Sequence, residues 1–191
     1  MPNRIPRSVE LMSTSDTALL VIDVQERLVP AIQDHPRVIW NIRRLVDGAG
    51  ILGIPVIATE QYPRGLGSTV EPLKGCLPVP TEKLHFSCGA CEGLFASLRE
   101  AGRHKILVAG IEAHVCVQQT VIDLLGDGYR VYVAVDAISS RFAVDCEFAL
   151  RRMDSSGATL TTTEAALFEW CEVAGTPQFK QISALAREAA P

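Results

Sequence analysis

The sequence lacks the features that would indicate a membrane or a nucleic acid as partner. Its 191 residues contain no uninterrupted apolar run of about 18 residues, the length needed to span a bilayer. Its 18 basic residues are outnumbered by 22 acidic ones, and the net charge of -4 argues against the clustered basic face that nucleic acids and anionic membranes require. We therefore expect a small-molecule partner, with no nucleic acid and no membrane.

The N-terminal residues also lack the apolar core of a signal peptide, which predicts a cytoplasmic protein. In that compartment cysteines are expected to be reduced thiols rather than disulfides. The chain has six of them: Cys76, Cys88, Cys91, Cys116, Cys146 and Cys171.

Only one Cys-x-x-Cys pair is present, formed by Cys88 and Cys91. A structural zinc site needs two more ligands, commonly from a second such pair, and the chain has no second pair. Cys76 and His85 are irregularly spaced for the purpose. A redox pair or half of a zinc site stays open, but the pattern favours local packing, and we predict no metal and no cofactor.

Short β-branched runs alternate with amphipathic segments, a pattern typical of an α/β fold with a parallel sheet covered on both faces. The 48% hydrophobic content can fill one core, so residues 1–191 are expected to form a single domain. The predicted strands are 18–23, 55–59, 105–111, 130–135 and 158–163. The predicted helices are 38–52, 91–101, 113–125, 141–155, 164–173 and 177–189.

Residues 60–82 form a Pro- and Gly-rich segment that reads as a long irregular loop. It leaves the carboxyl end of a predicted strand, which is the edge where open parallel sheets bind ligands. The segment is either a functional loop or a surface loop without a function of its own.

Cys116 is the strongest candidate for chemistry. It follows the predicted strand 105–111 and opens the predicted helix 113–125, and a helix start is expected to lower the pKa of a thiol. Asp23 and Lys83 fall at the same edge of the sheet. A carboxylate at a buried strand end needs a cation, which Lys83 could supply. From spacing alone, a structural salt bridge beside an inert thiol is as well supported as a cysteine hydrolase site.

Three separated blocks resemble the signatures of the isochorismatase-like cysteine hydrolases. They are residues 21–25 (VIDVQ), 82–87 (EKLHFS) and 110–117 (GIEAHVCV). Residues 59–67 (TEQYPRGLG), 136–141 (DAISSR) and 177–180 (PQFK) resemble the branch named for isochorismatase domain-containing proteins. The resemblance implies a Rossmann-like three-layer sandwich with a six-stranded parallel sheet in the order 3-2-1-4-5-6.

The resemblance also implies a catalytic triad of Asp23, Lys83 and Cys116. Asp23 would accept the thiol proton and later activate water, and Lys83 would hold the two anions electrostatically. The backbone N–H groups of Glu112 and Cys116 would form the oxyanion hole, next to a cis peptide bond at Ile111–Glu112. Candidate substrate-binding residues are Gln25, Glu60, Tyr62 and Phe86.

One difference from a branch of the family limits the activities that the resemblance implies. The nicotinamidase branch carries an Asp-x-His metal motif after the second strand, whereas this chain has Glu60-Gln61-Tyr62-Pro63, which disfavours nicotinamidase activity. His114 lies two residues before Cys116, so a catalytic Cys/His dyad is one hypothesis. Positions two apart on a helix point in different directions, however, which favours a packing or surface role for the His114 imidazole.

The predicted function is metal-free hydrolysis of a C–N, amide-type bond in a small metabolite through a thioester. The alternatives are vinyl-ether hydrolysis of the isochorismatase type and a weakly active binding protein on the same fold. The oligomeric habit of the family and the apolar-rich C-terminal helices also predict a homo-oligomer.

Overall fold

Six strands form one sheet in the computed structural model, which describes residues 5–91 and 93–191. The strands are β1 (Thr17–Ile22), β2 (Val56–Gln61), β3 (Thr81–Lys83), β4 (Lys105–Ile111), β5 (Arg130–Ser139) and β6 (Thr159–Thr161). All neighbours are parallel and the spatial order is β3-β2-β1-β4-β5-β6. The order 3-2-1-4-5-6 implied by the resemblance is confirmed.

The two central strands, β1 and β4, are buried along their whole length because their side chains are almost all apolar. Their register places Ile22 beside Gly110. Gly110 has φ +124°, and a Cβ there would lie 2.2 Å from the carbonyl oxygen of Ile22. Only glycine therefore lets the two strands approach this closely, one residue before Asp23.

Helices cover both faces of the sheet and complete three layers. They are α1 (His35–Leu52), α2 (Pro63–Leu66), α3 (Glu71–Lys74), α4 (Ala96–Glu100), α5 (Gln118–Gly126), α6 (Ala143–Ser155), α7 (Thr163–Cys171) and α8 (Pro177–Ala186). Alternate residues of β1 enter different cores, as a period of two requires. Leu19 and Val21 pack with α1, α7 and α8, whereas Leu20 and Ile22 pack with α4, α5 and α6.

Several element bounds differ from those predicted. The segment 60–82 was expected to be irregular, but it contains α2, α3 and the start of β3. That strand is too short to show a recognisable alternating pattern in the sequence. The predicted strand 130–135 is β5 and extends to Ser139. The helix predicted over 91–101 includes Glu92, which lies outside the described residues, and the observed helix is α4. The helix predicted to start at Ala113 begins with a π-helical turn, Ala113–Val117.

Within the described part of the chain, no helix has both the length and the apolarity to cross a membrane. All six cysteines are free thiols.

Candidate active site

A buried ion pair lies at the carboxyl edge of the sheet. Asp23 directly follows β1 with φ 53°, a left-handed conformation that turns the chain away from the strand, and its side chain is completely buried. Its Oδ2 accepts a hydrogen bond from Lys83 Nζ at 2.6 Å, and its Oδ1 accepts one from Thr59 Oγ1 at 2.7 Å. Both carboxylate oxygens are thus partnered, as a buried charge requires.

Lys83 is the last residue of β3, and its ammonium group is held from several sides. Besides Asp23, Nζ donates to Gln61 Oε1 at 2.7 Å and to the carbonyl of Phe86 at 3.0 Å. Burial by itself lowers the pKa of Lys83, but the negative charge of the Asp23 carboxylate opposes this effect, and the pKa is raised. Lys83 is therefore a permanent cation at neutral pH.

Cys116 lies beside this pair, in the π-helical turn after β4, and is 5% exposed. Burial raises the pKa of its thiol, Asp23 raises it further, and Lys83 only partly opposes them. The expected lowering of this pKa is wrong: α5 begins two residues later, and a dry site beside an anion outweighs the helix start. The resting thiol is neutral, so it needs a base.

A second thiol, Cys88, forms part of the same site. It is fully buried, its Sγ lies 3.7 Å from Thr59 Oγ1, and burial raises its pKa to about 11. Its backbone N–H donates to Thr120 Oγ1 at 2.9 Å, and that hydroxyl donates to the carbonyl of Cys116 at 2.7 Å. Thr120 therefore joins the segment of Cys88 to the turn of Cys116.

Among residues 5–91 and 93–191, no group of three or more His, Cys, Asp or Glu side chains is arranged to hold a metal ion.

The turn that carries Cys116 starts from an unusual backbone link. The Ile111–Glu112 peptide bond is cis. The Glu112 carboxylate is nearly buried and accepts hydrogen bonds from the backbone N–H and from Nε of Arg141, each at 3.1 Å. Arg141 thereby fixes the residue that begins the turn.

Two of the four candidate substrate-binding side chains are committed to the protein's own backbone or loops. Gln25 is fully buried; its Nε2 donates to the carbonyls of Gln61 (3.0 Å) and Gly67 (2.7 Å), and its Oε1 accepts from Gln61 N–H at 2.8 Å. Glu60 accepts from Thr69 N–H at 2.6 Å and from its Oγ1 at 2.7 Å. Both side chains brace the segment after β2.

The other two candidates, Tyr62 and Phe86, are about half exposed. Tyr62 lines a cleft of about 430 Å³. The cleft is also lined by Pro63, Arg64, Glu82, Lys83 and Leu84. Its wall includes Lys83, whose ammonium group is itself buried in the ion pair, whereas Tyr62, Arg64 and Glu82 are exposed to a ligand in the cleft.

His114 turns away from the thiol. Its Nδ1 lies 2.9 Å from Ser140 Oγ, and its Nε2 lies 3.9 Å from Asp145 Oδ2 on α6. Both ring nitrogens thus face residues on the α6 side of the turn, which agrees with the packing interpretation rather than with a dyad.

Thr59 and Gln61 also belong to the site, although the sequence did not predict them. They bond directly to Asp23 and Lys83, respectively. A usable signal existed: two polar side chains at alternate positions near the carboxyl end of β2 share one face of the strand.

Known proteins resemble this chain over most of its length. The family model described as isochorismatase domain matches residues 17–165. Isochorismatase domain-containing protein 1 of Danio rerio is 39% identical over 183 residues, which are 94% of this chain and 64% of that protein. The chain thus spans less than two thirds of that relative. Isochorismatase domain-containing protein 2 of Danio rerio is 40% identical over 181 residues, or 94% of this chain and 91% of that protein.

A solved structure from Caenorhabditis elegans, described as MAR1 ribonuclease, has the same fold. It superposes with a TM-score of 0.87 at 41% identity and covers 95% of this chain and 94% of its own.

Proposed function

The chain belongs to the isochorismatase family, and from that premise we propose that it is a cysteine-dependent hydrolase of a small metabolite, cleaving a C–N, amide-type bond. The observation that carries the proposal is the buried contact between Lys83 Nζ and Asp23 Oδ2 at 2.6 Å, with the neutral thiol of Cys116 beside it. A nucleophile, a base and a fixed cation thus share one desolvated site.

The first half-reaction moves the thiol proton. Asp23 takes the proton from Cys116 Sγ as the sulfur attacks the substrate carbonyl carbon, and Lys83 stabilises the developing thiolate. The carbonyl becomes a tetrahedral oxyanion, which accepts hydrogen bonds from the backbone N–H groups of Glu112 and Cys116. When the C–N bond breaks, Asp23 returns the proton to the leaving nitrogen. The products are a free amine and a thioester on Cys116.

The second half-reaction releases the acid. Asp23, again a carboxylate, takes a proton from a water molecule that attacks the thioester carbon. The tetrahedral intermediate collapses, the carbon–sulfur bond breaks, and the sulfur regains the proton from Asp23. The raised pKa of Cys116 favours this last step because a thiol is the stable resting form of the site.

A second candidate is hydrolysis of a vinyl ether, the reaction for which the matched family is named. It could use the same buried acid and base groups, with a C–O bond in place of the C–N bond. Direct assay distinguishes the two.

RNA cleavage must also be tested, because the C. elegans relative is described as a ribonuclease. The composition of this chain opposes it: the net charge is -4, whereas binding to a polyanion is driven by clustered basic residues. We propose a small molecule rather than RNA as the substrate.

We also propose that residues 1–191 act as one domain, that the protein works in the cytoplasm, and that it needs neither metal nor cofactor. The six free thiols fit a reducing compartment.

The test is a panel of amides, vinyl ethers and RNA, assayed with the wild-type protein, Cys116→Ala and Cys88→Ala. Cys88→Ala is a matched control because it removes the neighbouring buried thiol. We expect turnover of an amide that Cys116→Ala abolishes and Cys88→Ala largely retains, with an acyl adduct on Cys116 seen by mass spectrometry. Equal turnover by wild type and Cys116→Ala would overturn the proposal.

A further inference from the structure

The cleft of about 430 Å³ lies across β3 from the buried ion pair. Neighbouring residues of a strand point to opposite faces, and the burial of β3 follows this rule. The Lys83 side chain is 2% exposed and reaches Asp23, whereas Glu82 is exposed and Leu84, just after the strand, is 73% exposed. Glu82 and Leu84 both line the cleft. The cleft is therefore separate from the site of Cys116, and the reaction steps proposed above use none of its exposed side chains.

Two opposite charges line this cleft without neutralising each other. Arg64 and Glu82 are both exposed side chains of its wall. Among residues 5–91 and 93–191, neither forms an ion pair with the other or with a third residue. A guanidinium group can bind a carboxylate through two N–H donors, and a carboxylate can accept hydrogen bonds from an ammonium group. An anion alone would be repelled by Glu82 and a cation alone by Arg64, so the ligand that fits best carries both charges.

The remaining side chains of the wall are largely apolar. Tyr62 is 51% exposed, Leu84 is more exposed still, and Pro63 lies between Tyr62 and Arg64. Covering such side chains with an apolar group of a ligand removes their surface from water, which favours binding. The cleft volume is within the range of small-molecule sites and is sufficient for a single amino acid.

The wall is fixed before any ligand binds. Tyr62 has φ 37°, a left-handed conformation that is uncommon outside glycine and that occurs often at ligand sites. Its carbonyl accepts hydrogen bonds from the N–H groups of Gly65 and Leu66 at 2.8 and 3.0 Å, and its N–H donates to the carbonyl of Lys83 at 2.9 Å. Its ring packs on Gly65, where a Cβ would lie 2.3 Å from Cε1 of the ring. Arg27 Nη1 donates to the carbonyl of Gly65 at 2.7 Å. A wall held in this way loses little conformational entropy on binding.

We propose that this cleft binds a free α-amino acid with an apolar side chain. Arg64 binds the carboxylate of the ligand and Glu82 binds its ammonium group, while Tyr62 and Leu84 cover its side chain. An α-amino acid carries these three groups on one carbon, and the cleft presents a partner for each of them. The proposal does not depend on the reaction proposed above, because it concerns binding on the other side of β3.

The first test compares ligands by calorimetric titration of the wild-type protein. L-phenylalanine should bind saturably with a Kd of about 1 mM or below. Phenethylamine, which lacks the carboxylate, hydrocinnamate, which lacks the ammonium group, and glycine, which lacks the side chain, should each bind at least about tenfold more weakly. None of the four compounds has an amide or an ester to hydrolyse. No saturation by L-phenylalanine, or equal affinity for any of the other three compounds, would overturn the proposal.

The second test changes the two charges of the cleft. Arg64→Gln and Glu82→Gln should each weaken the binding of L-phenylalanine at least about tenfold. The matched controls are Arg152→Gln on α6 and Glu164→Gln on α7, which change the net charge equally at exposed positions away from the cleft. Their affinities should stay within about twofold of wild type. Wild-type affinity in either cleft variant, or an equal loss in the controls, would contradict the assignment.

The third test locates the bound amino acid relative to Cys116. Saturating L-phenylalanine should leave the rate of iodoacetamide labelling of Cys116 unchanged, because β3 lies between the cleft and the thiol. Protection of Cys116 would place the amino acid in the proposed active site and would overturn the separate site. These measurements involve no turnover, so the proposed reaction is tested independently of them.

Discussion

Thr59 Oγ1 donates a hydrogen bond to Asp23 Oδ1 over 2.7 Å, while Lys83 occupies the other carboxylate oxygen. Asp23 directly follows β1, and Thr59 lies in the neighbouring strand β2. The backbone N–H of Asp23 also donates to the carbonyl of Thr59 at 3.2 Å. The proposed base is therefore oriented by strand pairing and by a hydroxyl together.

The first prediction removes that hydroxyl with a near-isosteric side chain. Thr59→Val should lower kcat about tenfold and leave KM almost unchanged, because a misoriented base costs about 1.4 kcal/mol or more in the transition state. Steady-state kinetics on a substrate from the panel measures both constants. Thr159→Val, at an exposed position of β6, is the control. A folded Thr59→Val protein with wild-type kcat would show that the hydroxyl has only a structural role.

The second prediction concerns the ionisation of Cys116. Because Asp23 raises the thiol pKa and Lys83 lowers it, Asp23→Asn should move the pH profile of alkylation to lower pH and Lys83→Met to higher pH. The rate of iodoacetamide labelling of the Cys116 peptide, followed by mass spectrometry, gives the profile. The Cys88→Ala background removes the neighbouring thiol.

Lys83→Met leaves Asp23 buried without a cation and can prevent folding. In that case the pH profile of alkylation in Asp23→Asn tests the prediction by itself. A profile that moves to higher pH in Asp23→Asn would contradict the electrostatic arrangement described above.

The third prediction separates Asp23 from His114 as the base. His114→Ala should keep turnover within about threefold of wild type, because its ring faces Ser140 and Asp145, whereas loss of a general base typically costs 100-fold or more. Asp23→Asn, assayed alongside, should lose nearly all turnover. The reverse pattern would restore the Cys/His dyad.

The fourth prediction tests the close approach of β1 and β4. Gly110→Ala should destabilise the protein by about 3 kcal/mol or more, because the new Cβ would lie 2.2 Å from the carbonyl oxygen of Ile22 at a φ of +124°. Urea unfolding measures the free energy. Gly126→Ala, whose Cβ would meet nothing within 4 Å, should be neutral or slightly stabilising. Equal stabilities for the two variants would contradict this account.

The fifth prediction concerns Gln25, a candidate for substrate binding whose amide is used by the backbone. Gln25→Ala should lower the free energy of unfolding by about 2–4 kcal/mol, because it leaves buried groups of Gln61 and Gly67 unpaired. The exposed Gln178→Ala should change it by less than about 0.5 kcal/mol. Unchanged stability together with a raised KM would identify Gln25 as a substrate contact instead.

The sequence by itself determined the fold class. It also predicted that Asp23, Lys83 and Cys116 would lie at the same edge of the sheet. Buried strands such as β1 and β4 are continuous apolar runs that can be read locally, and the carboxyl ends of parallel strands meet at the same edge. The sequence also predicted that the carboxylate of Asp23, at a buried strand end, would need a cation. In the structure Lys83 is that cation. The strand order came from the resemblance of separated blocks to a known family.

Only the tertiary structure decided how these groups behave. β3 has three residues and depends on pairing with β2, so it left no pattern of its own. The pKa of Cys116 follows from burial and from a charge 93 positions earlier in the chain, and it moves opposite to the shift that local helix geometry predicts. Desolvation and Coulomb interactions act through space rather than along the sequence, which is why such shifts appear only once the chain is folded.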